Sequence, residues 1–259
     1  MLIIQPYGRC GNNIMQLMNC IYLNQTKYGQ CKICLVEWKA NNKSILGLFP
    51  DYLHFAEFET TTVDMEYKDI FWGTHVPRAE GVRIFRNYIQ PYIDASVERF
   101  QFHENRDIDF ENDLIIHVRS GDIFEDGFDC NHYKQPPYSF YKRIIESRYF
   151  PHIYILTEDV EKKRQNPVIS KLLESFRNIT LLCKNSLKTD FKIMLQSKYF
   201  VNSNSTLCLI VNSLSCGKKM IYLSHWSYGY HDSPVTRIQV NYGVFFKDRF
   251  ERDDFLLNG

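Results

Sequence analysis

The stretch Leu114-Ile115-Ile116-His117-Val118-Arg119-Ser120-Gly121-Asp122 combines an apolar run with a polar end, and the predicted fold is built around it. Its apolar, β-branched first part predicts a buried strand over 114–118. Its polar end is typical of a loop at the carboxyl end of a parallel strand, where open α/β sheets bind ligands. His117 and Arg119 are two residues apart, so they lie on the same face of the strand. The guanidinium of Arg119 can donate two parallel hydrogen bonds to a phosphate, although an Arg119–Asp122 ion pair that closes the strand end explains the same residues.

Strands and helices alternate along the rest of the chain from residue 112 onwards. This alternation predicts a doubly wound α/β fold with a mainly parallel sheet. The charged stretch 102–109 is the best candidate for a linker. We therefore predict two α/β domains, over 1–108 and 109–259, that face each other across a cleft. The predicted strands span 114–118, 152–156, 179–183, 199–201 and 220–223, and the predicted helices span 138–148, 167–176, 190–197 and 207–214.

The first residues predict a separate strand–loop–helix unit. A short strand over 2–4 is followed by a loop with two glycines, and apolar residues at helical spacing then predict a helix from Ile14. Asn12 or Asn13 can cap this helix. Its free N–H groups would bind an anion or a hydroxyl. Beyond this unit we predict a strand over 31–36, an irregular segment over 40–80 and a helix in the second half of 83–100.

Composition and charge exclude several classes of protein. A length of 259 residues allows one large domain or two modest ones. The formal net charge of +1 provides no positive surface for nucleic acid. No apolar run approaches the length that crosses a bilayer, and the apolar part of the N-terminus is too short for a signal peptide. We expect neither a nucleic-acid partner nor an integral membrane segment.

The cysteines predict no metal site. Cys31 and Cys34 have the spacing of half a zinc site, but the sequence contains no second pair of cysteines at this spacing. Their alternation with Ile33 and Leu35 favours a strand instead. In a chain of this size, scattered cysteines are typical of small buried residues in a reducing compartment. We therefore expect a cytoplasmic protein.

Three loops at predicted strand ends share a polar character. They are Gly8 to Asn12, His117 to Asp122, and Ser203 to Thr206 at the start of a helix. The third suits a diphosphate, because it combines hydroxyl groups with the free N–H groups of a helix start. An ordinary helix cap needs one such residue, and here several polar residues follow one another.

These loops carry a resemblance to a known family. Gly8-Arg9-Cys10-Gly11-Asn12-Asn13-Ile14-Met15-Gln16 resembles the G-R-L-G-N-Q-M-F-Q opening of the α-1,2-fucosyltransferases. His117-Val118-Arg119-Ser120-Gly121-Asp122 is similar to their H-x-R-R-G-D motif, and Asn202-Ser203-Asn204-Ser205-Thr206-Leu207 resembles their S-N-S-S-F segment. The order and spacing of the motifs agree along most of the chain.

The resemblance implies a fold and an activity. The family implies two Rossmann-like domains in the GT-B arrangement, with an acceptor-side domain over 1–108 and a nucleotide-sugar-binding domain over 109–259. It also implies an inverting transfer of L-fucose from GDP-fucose to a hydroxyl of an oligosaccharide or glycan acceptor. Neither a metal nor a further cofactor is expected.

The resemblance also implies roles for particular residues. Arg119 is expected to bind the donor's diphosphate, His117 lines the same site, and Asp122 completes the candidate catalytic set. The other expected donor-site residues are Ser203, Ser205 and Thr206 for phosphate with Asn204 between them, Thr157, Glu158 and Asp159 near the base or ribose, and Gly8, Arg9, Gly11 and Asn12 on the facing wall. No single catalytic base stands out among Asp122, Glu125, Asp126 and Glu158.

The chain departs from the family pattern close to the expected donor site. Ser120 stands where the family has a second arginine, Asn13 replaces a glutamine, and Leu207 replaces an aromatic residue. Two other hypotheses therefore stay open. One is a glycosyltransferase of the same architecture that uses another nucleotide sugar, and the other is a non-catalytic protein that binds a sugar or nucleotide.

Overall fold

The computed structural model divides the chain into two compact units, Met1–Phe100 and Gln101–Gly259. The predicted domains over 1–108 and 109–259, and the cleft between them, stay predictions. The residues that the structure describes are 2–4, 10–27, 33–35, 52–53, 63–65, 76–89, 91, 108–131, 134–158, 165–203, 205–214, 220–224, 235–238 and 245–259.

The first unit contains a four-stranded sheet in the order β3-β2-β1-β4. β1 pairs in parallel with both β2 and β4, while β3 pairs antiparallel with β2. The segment predicted as irregular thus contributes two short strands to this sheet. The strands are β1 (Leu2–Ile4), β2 (Ile33–Leu35), β3 (Tyr52–Leu53) and β4 (Val63–Met65).

Helix α1 (Cys10–Thr26) follows β1. It begins four residues before the predicted start, so the prediction that Asn12 or Asn13 caps it is wrong. The reason is that polar side chains also occupy the buried face, where Asn13 Nδ2 donates to Gln16 Oε1 at 3.5 Å. A helix start that is predicted only from the spacing of apolar residues therefore misses this first turn. The predicted apolar face is confirmed by the fully buried residues Ile14, Leu17 and Ile21.

Helix α2 (Arg78–Ile84) runs directly into a π-helical turn, Phe85–Ile89. The helix predicted in the second half of 83–100 lies outside the described residues, so it stays a prediction. Pro77 immediately precedes α2, and a proline there fixes a backbone angle without removing an intrahelical hydrogen bond.

The second unit contains a six-stranded sheet in the order β10-β9-β8-β5-β6-β7. Every pair of neighbouring strands in it is parallel. The predicted α/β class with a mainly parallel sheet is therefore confirmed. The strands are β5 (Leu114–His117), β6 (Ile153–Leu156), β7 (Ile179–Leu182), β8 (Tyr199–Val201), β9 (Met220–Ser224) and β10 (Val235–Ile238).

Helices connect or follow these strands, and most begin at a recognisable signal. Pro137 precedes the first, Asn166 caps the second, and Ser186 accepts a hydrogen bond from Thr189 N–H at 3.1 Å in the third. Because of the Ser186 cap, the third helix starts before the predicted Asp190. The helices are α3 (Tyr138–Glu146), α4 (Pro167–Ser175), α5 (Leu187–Gln196), α6 (Thr206–Leu214) and α7 (Arg249–Asn258).

β5 occupies the interior of the second sheet, between β8 and β6. Leu114, Ile115 and Ile116 are fully buried, as the unbroken apolar run predicts. One cluster of buried side chains joins β5 with the facing residues of α3 and α4. The stretch 114–122 therefore begins inside the core, and its polar residues lie at the carboxyl ends of the parallel strands.

Within the described ranges, no helix combines the length and apolar character needed to span a membrane. Among the described cysteines, Cys20 and Cys208 are buried, and Cys130 and Cys183 are partly exposed. Cys34 lies in β2, as predicted, while Cys31 lies outside the described residues.

Candidate functional site

In the second sheet, the direction in which successive strands are added reverses beside β5. The chain passes from β5 to β6 and β7 on one side, and then crosses to β8, β9 and β10 on the other. This is the strand order of the doubly wound nucleotide-binding folds, in which ligands bind beyond the carboxyl ends of the strands at the reversal. The polar residues that follow β5, β6 and β8 are therefore the candidate functional site, called here the switch-point edge.

Arg119 lies at the switch-point edge, two residues beyond β5. Its Nη2 lies 3.2 Å from Oδ2 of Asp122, and the two side chains are 12% and 34% exposed. The ion pair that the sequence offers as an alternative explanation is thus present. This ion pair uses Nη2 of the guanidinium. The Arg119 side chain is mostly buried, which restricts its orientation.

His117, the last residue of β5, forms a compact cluster with Ser203 and Cys208. His117 Nδ1 lies 2.5 Å from Ser203 Oγ and 3.2 Å from Cys208 Sγ. Ser203 follows β8 and Cys208 lies in α6, so the cluster joins the two strands on either side of the reversal to the helix beyond them. The Ser203 hydroxyl, expected to contact phosphate, contacts the imidazole in this structure.

The imidazole of His117 is neutral at physiological pH. Its pKa is lowered to about 4, chiefly by burial and secondly by the positive charge of Arg119, while the negative charge of Glu158 acts in the opposite direction. Of the side chains of His117 and Arg119, only that of Arg119 therefore carries a positive charge. The neutral ring donates a hydrogen bond from one nitrogen and accepts one at the other, according to its tautomer.

Two buried polar groups at the switch-point edge have no hydrogen-bond partner among the described residues. Asn202 follows β8 and is 1% exposed, and Thr157 follows β6 and is 5% exposed. Within the described part of the chain, both amide atoms of Asn202 and the hydroxyl of Thr157 lack a partner. Each such group costs about 1–3 kcal/mol in desolvation, and native proteins rarely keep that cost without a reason.

The α6 N-terminus completes the switch-point edge. Ser205 precedes the helix and Thr206 is its first residue. The unpaired N–H groups of a helix start attract anions. Asn204 lies outside the described residues, so its expected role stays a prediction.

The carboxylates that compete for the role of base lie in different surroundings. Glu158 directly follows Thr157, and its charge acts on His117. Asp122 pairs with Arg119. Asp126 pairs instead with Arg249 of α7 and is mostly exposed, and Glu125 is exposed. The ion pair with Arg119 therefore distinguishes Asp122, and the electrostatic effect on His117 distinguishes Glu158, from the other two candidates.

The residues expected on the facing wall belong to the first unit. Gly11 and Asn12 lie in the first turn of α1 rather than in a loop. Gly8 and Arg9 lie outside the described residues, as does Asp159 after β6. The expected roles of all five residues stay predictions.

Sequence reasoning missed three residues that contribute to this edge: Asn202, Cys208 and Asn166. Asn166 caps α4 and contacts the loop after β5. The Asn166-Pro167 pair is a helix-start signal that could have identified it. By contrast, an unsatisfied amide such as Asn202 carries no local sequence signal. Among the described residues, no group of three His, Cys, Asp or Glu side chains could hold a metal ion.

Asp190, in the first turns of α5, should make stability fall as pH rises. Burial raises its pKa to about 7, while a hydrogen bond from Asn185 acts in the opposite direction. Between the unfolded pKa near 3.8 and the folded value, the folded state binds more protons, so the destabilisation grows through this range and is complete above pH 7. Asn185 Nδ2 donates to Asp190 Oδ1 at 3.0 Å, and an asparagine oxygen at position 190 can still accept this bond.

We therefore expect Asp190→Asn to stabilise the protein at pH 8 by about 1–2 kcal/mol, a value reduced for partial exposure to solvent. At pH 4 the variant should match the wild type. Urea unfolding at both values measures the effect, with Asp126→Asn as the exposed control. A gain of equal size at both pH values would contradict the assignment of a raised pKa.

No protein-family model matches the chain, and no curated protein matches it. Among solved structures, it is similar to E. coli heptosyltransferase WaaC with ADP, at 11% identity and a TM-score of 0.48, over 99% of this chain and 96% of that chain. It is also similar to E. coli ADP-heptose LPS heptosyltransferase II, at 11% identity and a TM-score of 0.46, over 92% of this chain and 89% of that chain. Both likenesses concern the course of the backbone, and neither identifies a donor or an acceptor.

Proposed function

We propose that the protein is a glycosyltransferase that binds a nucleotide-sugar donor at the switch-point edge. The observation that carries this proposal is the convergence of Arg119, Asn202 and Thr157 at the carboxyl ends of three adjacent parallel strands. One charged group and two buried polar groups that lack partners among the described residues thus follow the same ends of neighbouring strands, where the strand order reverses. Such a place suits a ligand that has both charge and hydroxyl groups.

The charged part of the ligand would be a diphosphate. Arg119 supplies the positive charge, since His117 is neutral, and the α6 N-terminus supplies backbone N–H donors. The ion pair with Asp122 uses Nη2, and a phosphate can share the planar guanidinium with that carboxylate. These groups would stabilise the charge that builds up on the leaving diphosphate.

The uncharged part of the ligand would carry hydroxyl or amide groups. An asparagine side chain offers two donors and one acceptor oxygen, and both of its ends are unsatisfied at Asn202. A phosphate oxygen can only accept, so it would satisfy one end. A ribose, a hexose or a nucleobase edge would satisfy both ends, and a nucleotide sugar contains all three.

The reaction that fits these groups is an inverting transfer. An acceptor hydroxyl oxygen forms a bond to the anomeric carbon, the bond from that carbon to the phosphate oxygen breaks, and the diphosphate leaves with the electron pair. The acceptor proton passes to a carboxylate, for which Glu158 and Asp122 are the candidates in contact with the donor site. The motif resemblance supports L-fucose as the sugar and GDP as the leaving nucleotide.

Thermal unfolding with a panel of nucleotides tests the proposal. GDP at about 100 times its Kd should stabilise the protein by about 2.7 kcal/mol, while ADP, UDP and CMP should have smaller effects. Stabilisation by another nucleotide alone would replace the guanine assignment. No stabilisation by any nucleoside diphosphate would contradict the proposal.

The experiment that separates an enzyme from a binding protein is donor hydrolysis. We expect slow release of free fucose from GDP-fucose in the absence of acceptor, because water can take the place of the acceptor hydroxyl. Arg119→Ala serves as the control for contaminating hydrolases. Tight GDP binding without any hydrolysis or transfer would favour the non-catalytic alternative.

Transfer should proceed at an unchanged rate in excess EDTA. The reason is that Arg119 and the α6 N-terminus would supply the positive charge that a divalent metal supplies in other transferases. The measurement is the initial rate of transfer before and after dialysis against EDTA, and then with added manganese. A rate that falls in EDTA and recovers with manganese would overturn this expectation.

A further inference from the structure

Asn166 connects α4 to the loop that carries Arg119. Its side chain is fully buried, and its Nδ2 donates to the Arg119 carbonyl oxygen at 3.3 Å. Its Oδ1 accepts from Val168 N–H at 3.0 Å, which caps the helix. Its backbone N–H donates to Ser120 Oγ, also at 3.0 Å. One residue thus holds the helix start and two consecutive residues of the loop.

Ser120 has a defined place in this arrangement. It is 2% exposed, and its hydroxyl oxygen accepts the Asn166 N–H. An arginine at this position would have no room for its longer side chain beside α4 in the present packing. The serine that departs from the fucosyltransferase pattern is therefore part of the contact between the loop and the helix.

We propose that Asn166 is a positioning residue that, together with Ser120, fixes the backbone of Arg119 and thereby aims its guanidinium at the donor. The inference rests on the proposed function, in which Arg119 binds the donor's diphosphate. The support beneath the loop is rigid, because Val168, Ile169 and Leu172 of α4 are all fully buried in the core. Arg119 is thereby held from its carbonyl group as well as by its ion pair with Asp122.

A helix cap alone would explain only one of these bonds. Capping uses Oδ1, whereas the Nδ2 donor adds nothing to the helix and reaches the Arg119 peptide. Serine is as good a cap as asparagine but has no second polar atom to reach Arg119. Asn166→Ser therefore keeps the cap and removes the bond to Arg119.

The matched control is Ser186→Ala in α5. Ser186 caps its helix through a hydroxyl that accepts from Thr189 N–H at 3.1 Å, and both of its recorded side-chain hydrogen bonds are with Thr189. Removing this cap should lower the melting temperature by about 2–4 °C. It should leave the affinity for GDP unchanged.

The test measures GDP affinity by calorimetry and melting temperature on the full chain. Asn166→Ser should weaken GDP binding about three- to tenfold, while its loss in melting temperature should be comparable to that of Ser186→Ala, which keeps its affinity for GDP. Wild-type affinity in Asn166→Ser would overturn the inference. Equal weakening in Ser186→Ala would also overturn it, because general destabilisation would then explain the loss.

A second readout does not depend on GDP. Phenylglyoxal modifies accessible arginine side chains, and mass spectrometry follows the rate at Arg119. We expect faster modification of Arg119 in Asn166→Ser and an unchanged rate in Ser186→Ala. If the wild type binds no GDP, the proposed function fails, and the modification rate still decides whether Asn166 positions Arg119. An unchanged rate in Asn166→Ser would count against the inference.

Discussion

Replacing Arg119 with alanine should slow sugar transfer about a hundredfold, which corresponds to about 3 kcal/mol of lost transition-state stabilisation. The reason is that, in the proposed function, Arg119 would supply the positive charge beside the leaving diphosphate, while the neighbouring imidazole of His117 is neutral. Arg119→Lys should not restore the rate, because the ammonium keeps the charge but loses the planar pair of donors. Initial rates of transfer from the donor measure the effect.

The same substitution should leave the protein folded. Arg119 is 12% exposed, but its partner Asp122 is 34% exposed, so water can solvate the carboxylate after the ion pair is lost. We expect a loss of stability of about 1 kcal/mol or less. The rival hypothesis, in which Arg119 only closes the strand end, predicts reduced stability with intact GDP affinity. Calorimetry and thermal unfolding on one Arg119→Ala sample decide between them.

Replacing Asn202 with leucine should make the protein more stable and less able to bind its donor. Neither amide atom of Asn202 has a partner within the described part of the chain, so an apolar side chain of similar size removes a desolvation cost of about 1–3 kcal/mol. That gain corresponds to a melting temperature higher by about 2–4 °C for each kcal/mol. GDP-fucose affinity should fall about tenfold or more, because the amide would bind the donor.

The chain provides a matched control for this prediction. Asn212 is also 1% exposed, and both of its amide atoms also lack a partner among the described residues. It lies in α6, about 9 Å along the helix axis from Thr206. Asn212→Leu should therefore stabilise the protein without weakening donor binding. Equal loss of affinity in both variants, or destabilisation by Asn202→Leu, would contradict the account.

The second unit was predictable because its local signals agree with its fold. The continuous apolar run before His117 predicts a strand that is buried on both faces, and this strand lies inside the sheet. Pro137 and the Asn166-Pro167 pair fix the starts of α3 and α4. A pattern of strands and helices that repeats in this way has few alternatives to a parallel sheet.

The position of the strand reversal was not predictable in the same way. The sequence shows that β8 follows α5, but no local pattern states that β8 pairs with β5 rather than with β7. That pairing depends on how the helices cover both faces of the completed sheet. The contact between His117 and Ser203 depends on the pairing, so it could be seen only in the structure.

The first unit and the C-terminal tail gave weaker signals. The buried face of α1 contains Asn13 and Gln16, and polar residues at buried positions interrupt the apolar stripe that predicts a helix start. β3 and β4 have only two and three residues. Strands this short do not show the alternation of apolar and polar residues by which a strand is recognised. In the tail, β10 and α7 lie among charged residues, which obscure the spacing of apolar residues that identifies a strand or a helix.

Hydrogen–deuterium exchange of the full chain, with and without saturating GDP, locates the bound nucleotide. We expect GDP to slow exchange at the switch-point edge, in peptides that cover the loop after β5, Thr157 and the start of α6. We expect smaller changes at α7, which serves as an internal reference. Protection that is confined to other parts of the chain, or no protection at saturating GDP, would contradict the assignment of this edge as the donor site.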